Sequence, residues 1–187
     1  MGNTSLIESI HFLLTYQCNY ECDHCFVFGS SEAKGTFTLN QLKSVFAEIA
    51  KSHSVKSVYF EGGEPFLFYP LLLEGVRNAY QLGLSVGIVT NGYWATTKED
   101  AEFWLKPFMG LGINDLSVSS DSLHSDEYDA KREDCAILAA RNLGIPTGTI
   151  CIEGPEVVNS NNYVNKKGEP IVGGGVRFRG RAVDKLV

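Results

Sequence analysis

The sequence predicts an α/β fold built on a parallel sheet, and two observations carry the prediction. Short β-branched or aromatic runs recur about every thirty residues, and helical patterns fill most of the gaps between them. The strand runs are IHFLLT from Ile10, VKSVYF from Val55, LSVGIVT from Leu84, DLSVS from Asp115, PTGTICI from Pro146 and VRFRG from Val176. Strands that alternate with helices need right-handed crossovers. These give a parallel sheet buried on both faces, with ligand sites at the carboxyl ends of its strands.

Between the strands, Thr38 and Gln41 have capping-box spacing, and Leu39, Leu42, Val45 and Ile49 then repeat on one helical face. Pro70 to Leu82 reads as a second helix, stopped by Gly83. Thr96 with Glu99 opens a third, which Pro107 ends, and Asp126 to Leu143 gives a fourth, stopped by Gly144. The stretch from Glu153 to Gly174 is rich in Asn, Gly and Pro, so an irregular connection replaces the fifth crossover helix. Only about seven residues follow the sixth strand run, so a sixth helix and any C-terminal domain are expected to be missing.

With 187 residues, 44% of them hydrophobic, the chain suits one domain. A net charge of −6 and a pI near 5.2 argue against nucleic acid and anionic membrane as constitutive partners, although Arg177, Arg179, Arg181 and Lys185 cluster near the C-terminus. No charged-then-apolar leader is present and no apolar run approaches the roughly 20 residues a bilayer requires, which reads as a cytoplasmic protein. There are five cysteines, and in a reducing compartment metal or catalytic use is favoured over disulfides.

Cys18, Cys22 and Cys25 crowd into the run QCNYECDHCF, directly after the first strand. Three thiolates on one loop can hold three corners of an iron–sulfur cube and leave the fourth iron open to a small molecule. The alternative is a zinc site completed by His24 or His11. Adjacent His24 and Cys25 would strain to reach one tetrahedral metal, and no second CxxC pair follows. Three further motifs also fall at strand ends: EGGEPF from Glu61, TNG from Thr90 and SVSSDS from Ser117. Taken singly, EGGEPF is an ordinary βα turn and SVSSDS a helix N-cap. In the fourth strand, alternation places Ser117, Ser119 and Asp121 on one face. Cys135 and Cys151 read as small buried apolar groups.

CxxxCxxC, then GGEP, then TNG, then an S-x-D strand end, in that order, resembles the radical S-adenosylmethionine (radical SAM) superfamily over about Ile10 to Ala182. The resemblance implies an open (β/α)6 partial barrel, incomplete at its C-terminal end, with residues 1–187 forming one core domain and no C-terminal extension. It implies that Cys18, Cys22 and Cys25 ligate a 4Fe–4S cluster whose open iron chelates the methionine part of SAM. Gly62 and Gly63 would bring backbone carbonyls close to the SAM amine, Glu64 would add an acceptor, and Pro65 would stiffen the turn. Ser119 and Asp121 would bond the ribose hydroxyls or the carboxylate, with Asn91 in support and Ile150 against adenine, while Arg132 reads either as a counter-charge to the carboxylate or as a solvated surface charge.

The implied chemistry is reductive cleavage of SAM to a 5′-deoxyadenosyl radical that abstracts hydrogen, fed by a reductant such as flavodoxin or ferredoxin. No residue is assigned as a substrate acid or base. His24 and the GRA run at Gly180 to Ala182 resemble branches of the SPASM or twitch type that modify a peptide or protein substrate. The alternatives are an activase for a glycyl-radical enzyme and a truncated, non-catalytic iron–sulfur module.

Overall fold

In the computed structural model, the described residues are 7–120, 127–153 and 173–186. Six strands run β1 (Ser9–Thr15), β2 (Ser57–Gly62), β3 (Ser85–Thr90), β4 (Ile113–Ser119), β5 (Thr147–Glu153) and β6 (Gly173–Gly175). They lie side by side in the order β1-β2-β3-β4-β5-β6, and each neighbouring pair is parallel. A strictly sequential order with right-handed crossovers never reverses direction. All crossover helices therefore fall on one face, as in a barrel, and not on both as in a doubly wound sheet.

That outer layer is α1 (Leu39–Ile49), α2 (Tyr69–Gln81), α3 (Lys98–Leu105) and α4 (Glu127–Asn142). Helix α1 begins as predicted: the Thr38 hydroxyl accepts from the Gln41 N–H, and the Gln41 side chain accepts from the Thr38 N–H. Its face buries Leu42, Phe46 and Ile49. Phe46 stacks on Phe12 at 5.2 Å, and Phe12 stacks on Phe60 at the same distance. Each such buried side chain contributes about 1.5–3 kcal/mol. The row Phe12, Phe60, Ile88, Leu116 is in register across four strands, which makes the helix-facing side of the sheet continuously apolar.

The other face differs from the two-sided burial predicted. In register there lie His11, Tyr59, Gly87 and Asp115, and one step further Leu13 and Glu61, with Val89 opposite Ser117. Among the described residues no crossover helix covers this side, so half-exposed polar groups persist. His11 pairs with Glu61 (Nδ1 to Oε1, 3.0 Å) and stacks on Tyr59 at 4.8 Å. The inner face of the curved sheet is thus a polar surface.

Three details depart from the predicted elements. Helix α3 is capped by Thr97, whose hydroxyl accepts from the Asp100 N–H, while Thr96 donates to the Asp100 carboxylate from outside the helix. Strand β2 runs on through Glu61 and Gly62, so the first glycine of GGEP is still strand. The sixth strand is Gly173–Gly175 and not the run from Val176 to Gly180. Gly180 has φ +60°, a left-handed conformation that no strand contains, and the segment turns from the sheet to pack on the cysteine loop, ending in a one-turn helix, α5 (Ala182–Lys185). The irregular connection predicted for Glu153 to Gly174 lies almost wholly outside the described residues. No helix among the described residues is long and apolar enough to cross a membrane.

Candidate functional site

The cysteine loop leaves β1 at Thr15 and returns at Thr36, where the two threonine hydroxyls bond at 2.8 Å. Its neck is tied by backbone bonds from Tyr16 N–H to Gly35 O (2.8 Å) and from Cys18 N–H to Ser30 O (2.9 Å). Its first residues also pair with the GGEP turn: Gly63 N–H donates to Thr15 O and Glu64 N–H to Gln17 O. This approach explains the two glycines. A Cβ on Gly62, at φ +126°, would meet Thr15 O, and one on Gly63 would overlap the Gln17 carbonyl. The glycines are thus demanded first by the chain itself, which must bring the second strand end against the first.

Pro65 opens a 3-10 turn, Pro65–Phe68, as the fixed φ of proline favours. Glu64 is fully buried, and its carboxylate is turned inward. It accepts from Phe66 N–H (3.0 Å), Thr90 Oγ1 (2.8 Å) and Asn91 N–H (2.7 Å). Burial outweighs these three bonds and pushes the carboxyl up to about 7. The side chain predicted to face a ligand amine instead joins the ends of β2 and β3.

Asn91 is brought to the cysteines. Its side-chain amide donates to Cys18 Sγ at 3.7 Å and to Asn19 Oδ1 at 2.9 Å, while its oxygen accepts from Tyr93 N–H. The TNG turn is held by Thr90, which is buried and accepts from Gly92 N–H and Trp94 Nε1. The sequence marks Thr90 only as the first residue of TNG, without a role of its own. The signal that could have found it is its place as the last inward residue of a strand, beside a buried acid.

The sulfurs are surrounded by donors. Cys18 Sγ accepts from Tyr20 N–H at 3.4 Å and Cys25 Sγ from Gly29 N–H at 3.2 Å. Gly29 lies between these two cysteines, where a Cβ would come within 3.3 Å of Cys18 Cβ and 3.5 Å of Cys25 Sγ. Cys22 stands half-buried further round the loop. Burial pushes the Cys18 thiol up to about 11, against the Tyr20 N–H and with help from the charges of Glu64 and Cys25. A coordinating metal reverses that balance and removes the proton outright.

Among the described residues, no three His, Cys, Asp or Glu side chains are gathered as tightly as one ion requires. Tetrahedral zinc thiolates at about 2.3 Å bring their sulfurs within about 3.8 Å of each other, whereas a cube attaches each thiolate to a different iron and spaces them apart. N–H donors on the sulfurs and a glycine floor between two of them suit thiolates that ligate a metal group. His11 is held in mid-strand by Tyr59 and Glu61.

Ser119, the last residue of β4, is the register partner of Ile150 in mid-β5, and Ser120 N–H donates to Ile150 O at 2.8 Å, so these two predicted residues are neighbours. Ser117, predicted on the same face as Ser119, donates to Asp115 at 2.9 Å. Asp121 lies outside the described residues. Arg132 is half-buried in α4.

A family model described as the radical SAM superfamily matches residues 12–157, which runs from the middle of β1 through β5 and takes in all four motif-bearing strand ends. The chain belongs to the radical SAM superfamily. Radical SAM proteins bind a 4Fe–4S cluster and S-adenosylmethionine, and the strand-end surface just described is where this chain presents its cysteines. A putative peptide biosynthesis protein of Bacillus subtilis (strain 168), YydG, is 25% identical over 63% of this chain and 37% of its own length. The antilisterial bacteriocin subtilosin biosynthesis protein AlbA of the same strain is 32% identical over 65% of this chain and 26% of its own. The crystal structure of Streptococcus suis SuiB bound to precursor peptide SuiA shares the fold, with TM-score 0.59, 18% identity and coverage of 81% of this chain and 34% of SuiB. The chain thus spans between about a quarter and two fifths of these radical SAM relatives.

Proposed function

We propose that this chain is the core of a radical SAM enzyme in which Cys18, Cys22 and Cys25 hold a 4Fe–4S cluster and the neighbouring strand ends hold SAM. The observation that carries the reading is the surroundings of the sulfurs: Tyr20 N–H, Gly29 N–H and Asn91 Nδ2 all donate to them, as suits thiolate ligands. When bound, the reduced cluster with SAM supplies a 5′-deoxyadenosyl radical, formed alongside methionine, which removes a hydrogen atom from substrate.

The chain's own residues bind and orient. Gly62, Gly63 and Pro65 shape a stiff turn whose backbone faces the SAM amine, and Glu64 serves there by holding Thr90 and Asn91 in place. Asn91 supports the cluster side through Cys18. Ser119 at the end of β4, its register partner Ile150 in β5, and Asp121 take the ribose, the carboxylate and the adenine. The polar inner face of the sheet, with His11, Tyr59 and Glu61, borders the space in which a substrate sits.

The substrate is a peptide or protein, a reading supported by the names of YydG and AlbA and by the peptide in the SuiB crystal. A nucleotide substrate is the second reading, because a nucleotide dehydratase of Selenomonas ruminantium is 32% identical over 62% of this chain. A flavodoxin or ferredoxin serves as reductant. The decisive experiment is anaerobic reconstitution with iron and sulfide, then dithionite and SAM. Formation of 5′-deoxyadenosine supports the enzyme; a colourless protein, or a coloured one whose spectrum ignores SAM, sinks it. Hydrogen loss from an added precursor peptide against an added nucleoside triphosphate separates the two substrate readings.

A further inference from the structure

Arg181 is 7% exposed, although it stands in a segment that reads as a basic surface run. Its guanidinium donates to Cys22 O at 2.6 Å through Nη1 and to Gly29 O at 2.8 Å through Nη2. Its own N–H donates to Cys25 O at 2.9 Å. Two of the three cysteines, and the residue whose N–H bonds Cys25 Sγ, are therefore held by one residue about 150 positions further along the chain. The approach is close enough to dictate the residue before it. Gly180 sits at φ +60°, and a Cβ there would come within 2.5 Å of Cys25 O and of Phe26 Cα. Arg179 adds its guanidinium over the Phe26 ring, 4.6 Å from the centroid.

We infer that Arg181 is a positioning residue for the cysteine loop: its planar fork clamps the loop backbone at Cys22 and Gly29 while its own N–H holds Cys25 O, and its buried charge favours the reduced, more negative state of whatever the loop holds. The loop needs such a clamp because its backbone bonds from Tyr16 to Gly35 and from Cys18 to Ser30 close its neck, and inside it the turn bond from Cys25 N–H to Cys22 O (3.1 Å) joins the loop only to itself. Among the described residues no strand pairs with residues 19–29, which carry two of the thiols. Arg is required in place of Lys, because two carbonyls on different parts of the loop must be reached by rigidly spaced donors. Glu21, whose carboxylate lies 3.8 Å from Nη2, is well exposed and so only partly offsets the charge.

The clamp is a statement about the chain itself, whereas the effect on potential rests on the cluster reading above, and the test keeps them apart. In the apo-protein, amide hydrogen exchange of residues 22–29 is compared between wild type, Arg181→Met and Arg181→Lys. Both variants are expected to exchange there at least tenfold faster, with amides of β1 to β4 unchanged, because charge-assisted bonds to buried carbonyls are lost. Unchanged exchange in residues 22–29 overturns the clamp. If Arg181→Met speeds exchange throughout, Arg181→Lys and Gly180→Ala decide, and speeding throughout in both also overturns it. In reconstituted protein, Arg181→Met is expected to have a more negative midpoint potential, and Arg181→Lys to recover it while its loop amides stay fast. Equal potentials for wild type and Arg181→Met overturn the electrostatic part. A chain that takes up no iron at all refutes the cluster reading and leaves the exchange result standing.

Discussion

Asn91 donates its backbone N–H to Glu64 Oε2 at 2.7 Å, and the two residues are 27 positions apart. The GGEP and TNG turns are therefore one unit. The Asn91 side chain extends that unit to Cys18 Sγ, so the first three strand ends share one hydrogen-bonded network. An amide at position 64 offers one accepting oxygen where three donors converge. Glu64→Gln is expected to cost about 1–3 kcal/mol, because at least one buried donor is left unmatched. Urea unfolding of the apo-protein near neutral pH measures this, and an unchanged midpoint refutes the network.

The same acid gives the apo-protein a pH signature. Its carboxyl is raised from 4.5 to about 7 in the folded state by burial, so the folded chain keeps a proton that the unfolded chain has released. Its contribution is present below pH 4.5 and is lost as pH rises through about 7, on the order of a few kcal/mol. The difference in unfolding free energy between wild type and Glu64→Gln is expected to shift against wild type across this window. A difference that is flat with pH contradicts the assignment.

Gly63→Ala tests the contact between the turn and the loop. Its Cβ overlaps the Gln17 carbonyl, so the turn must move away from the cysteine loop, at a cost of about 2 kcal/mol or more. Gly148→Ala in β5 meets open space and is expected to stay within about 0.5 kcal/mol. Equal thermal midpoints for the two variants would remove the steric argument.

Asn91→Ala removes the side-chain donor on Cys18 Sγ, leaving the Tyr20 N–H and all three thiols in place. A hydrogen bond to a ligand sulfur stabilises the reduced form, so its loss is expected to make the midpoint potential more negative, with iron content little changed. Cys18→Ser, by contrast, is expected to abolish the visible absorption. Spectroelectrochemical titration of reconstituted protein separates the two effects.

Thr38→Ala deletes the cap of α1, whose hydroxyl bonds to Gln41 and not to the cysteine loop, and is expected to cost about 1 kcal/mol without any change in iron uptake. It serves as the stability control for the other variants. A parallel loss of iron would show that uptake merely tracks global stability.

What was legible in advance was whatever local chemistry decides. The Thr38 and Gln41 box, the stops before Gly83 and Gly144 and the run of apolar strands each follow from a few neighbouring residues, and each appears where it was read. The three cysteines and the order of strand-end motifs needed only spacing. Other features did not follow from neighbours. Thr96 and Thr97 are both able caps, and only the position of Asp100 chose between them. The VRFRG run has the composition of a strand, yet its glycine is held in a left-handed turn by the cysteine loop.

Residue type and spacing by themselves determined that this chain folds as alternating strands and helices and brings three thiols to a strand end. Only the tertiary structure decided what the polar groups around them face. Glu64 turns inward to Thr90 and Asn91, and Arg181 turns inward to Cys22 and Gly29. The physical reason is that a buried charge must find its partners wherever the fold supplies them, and these partners are brought close only when strands distant in the chain pair side by side.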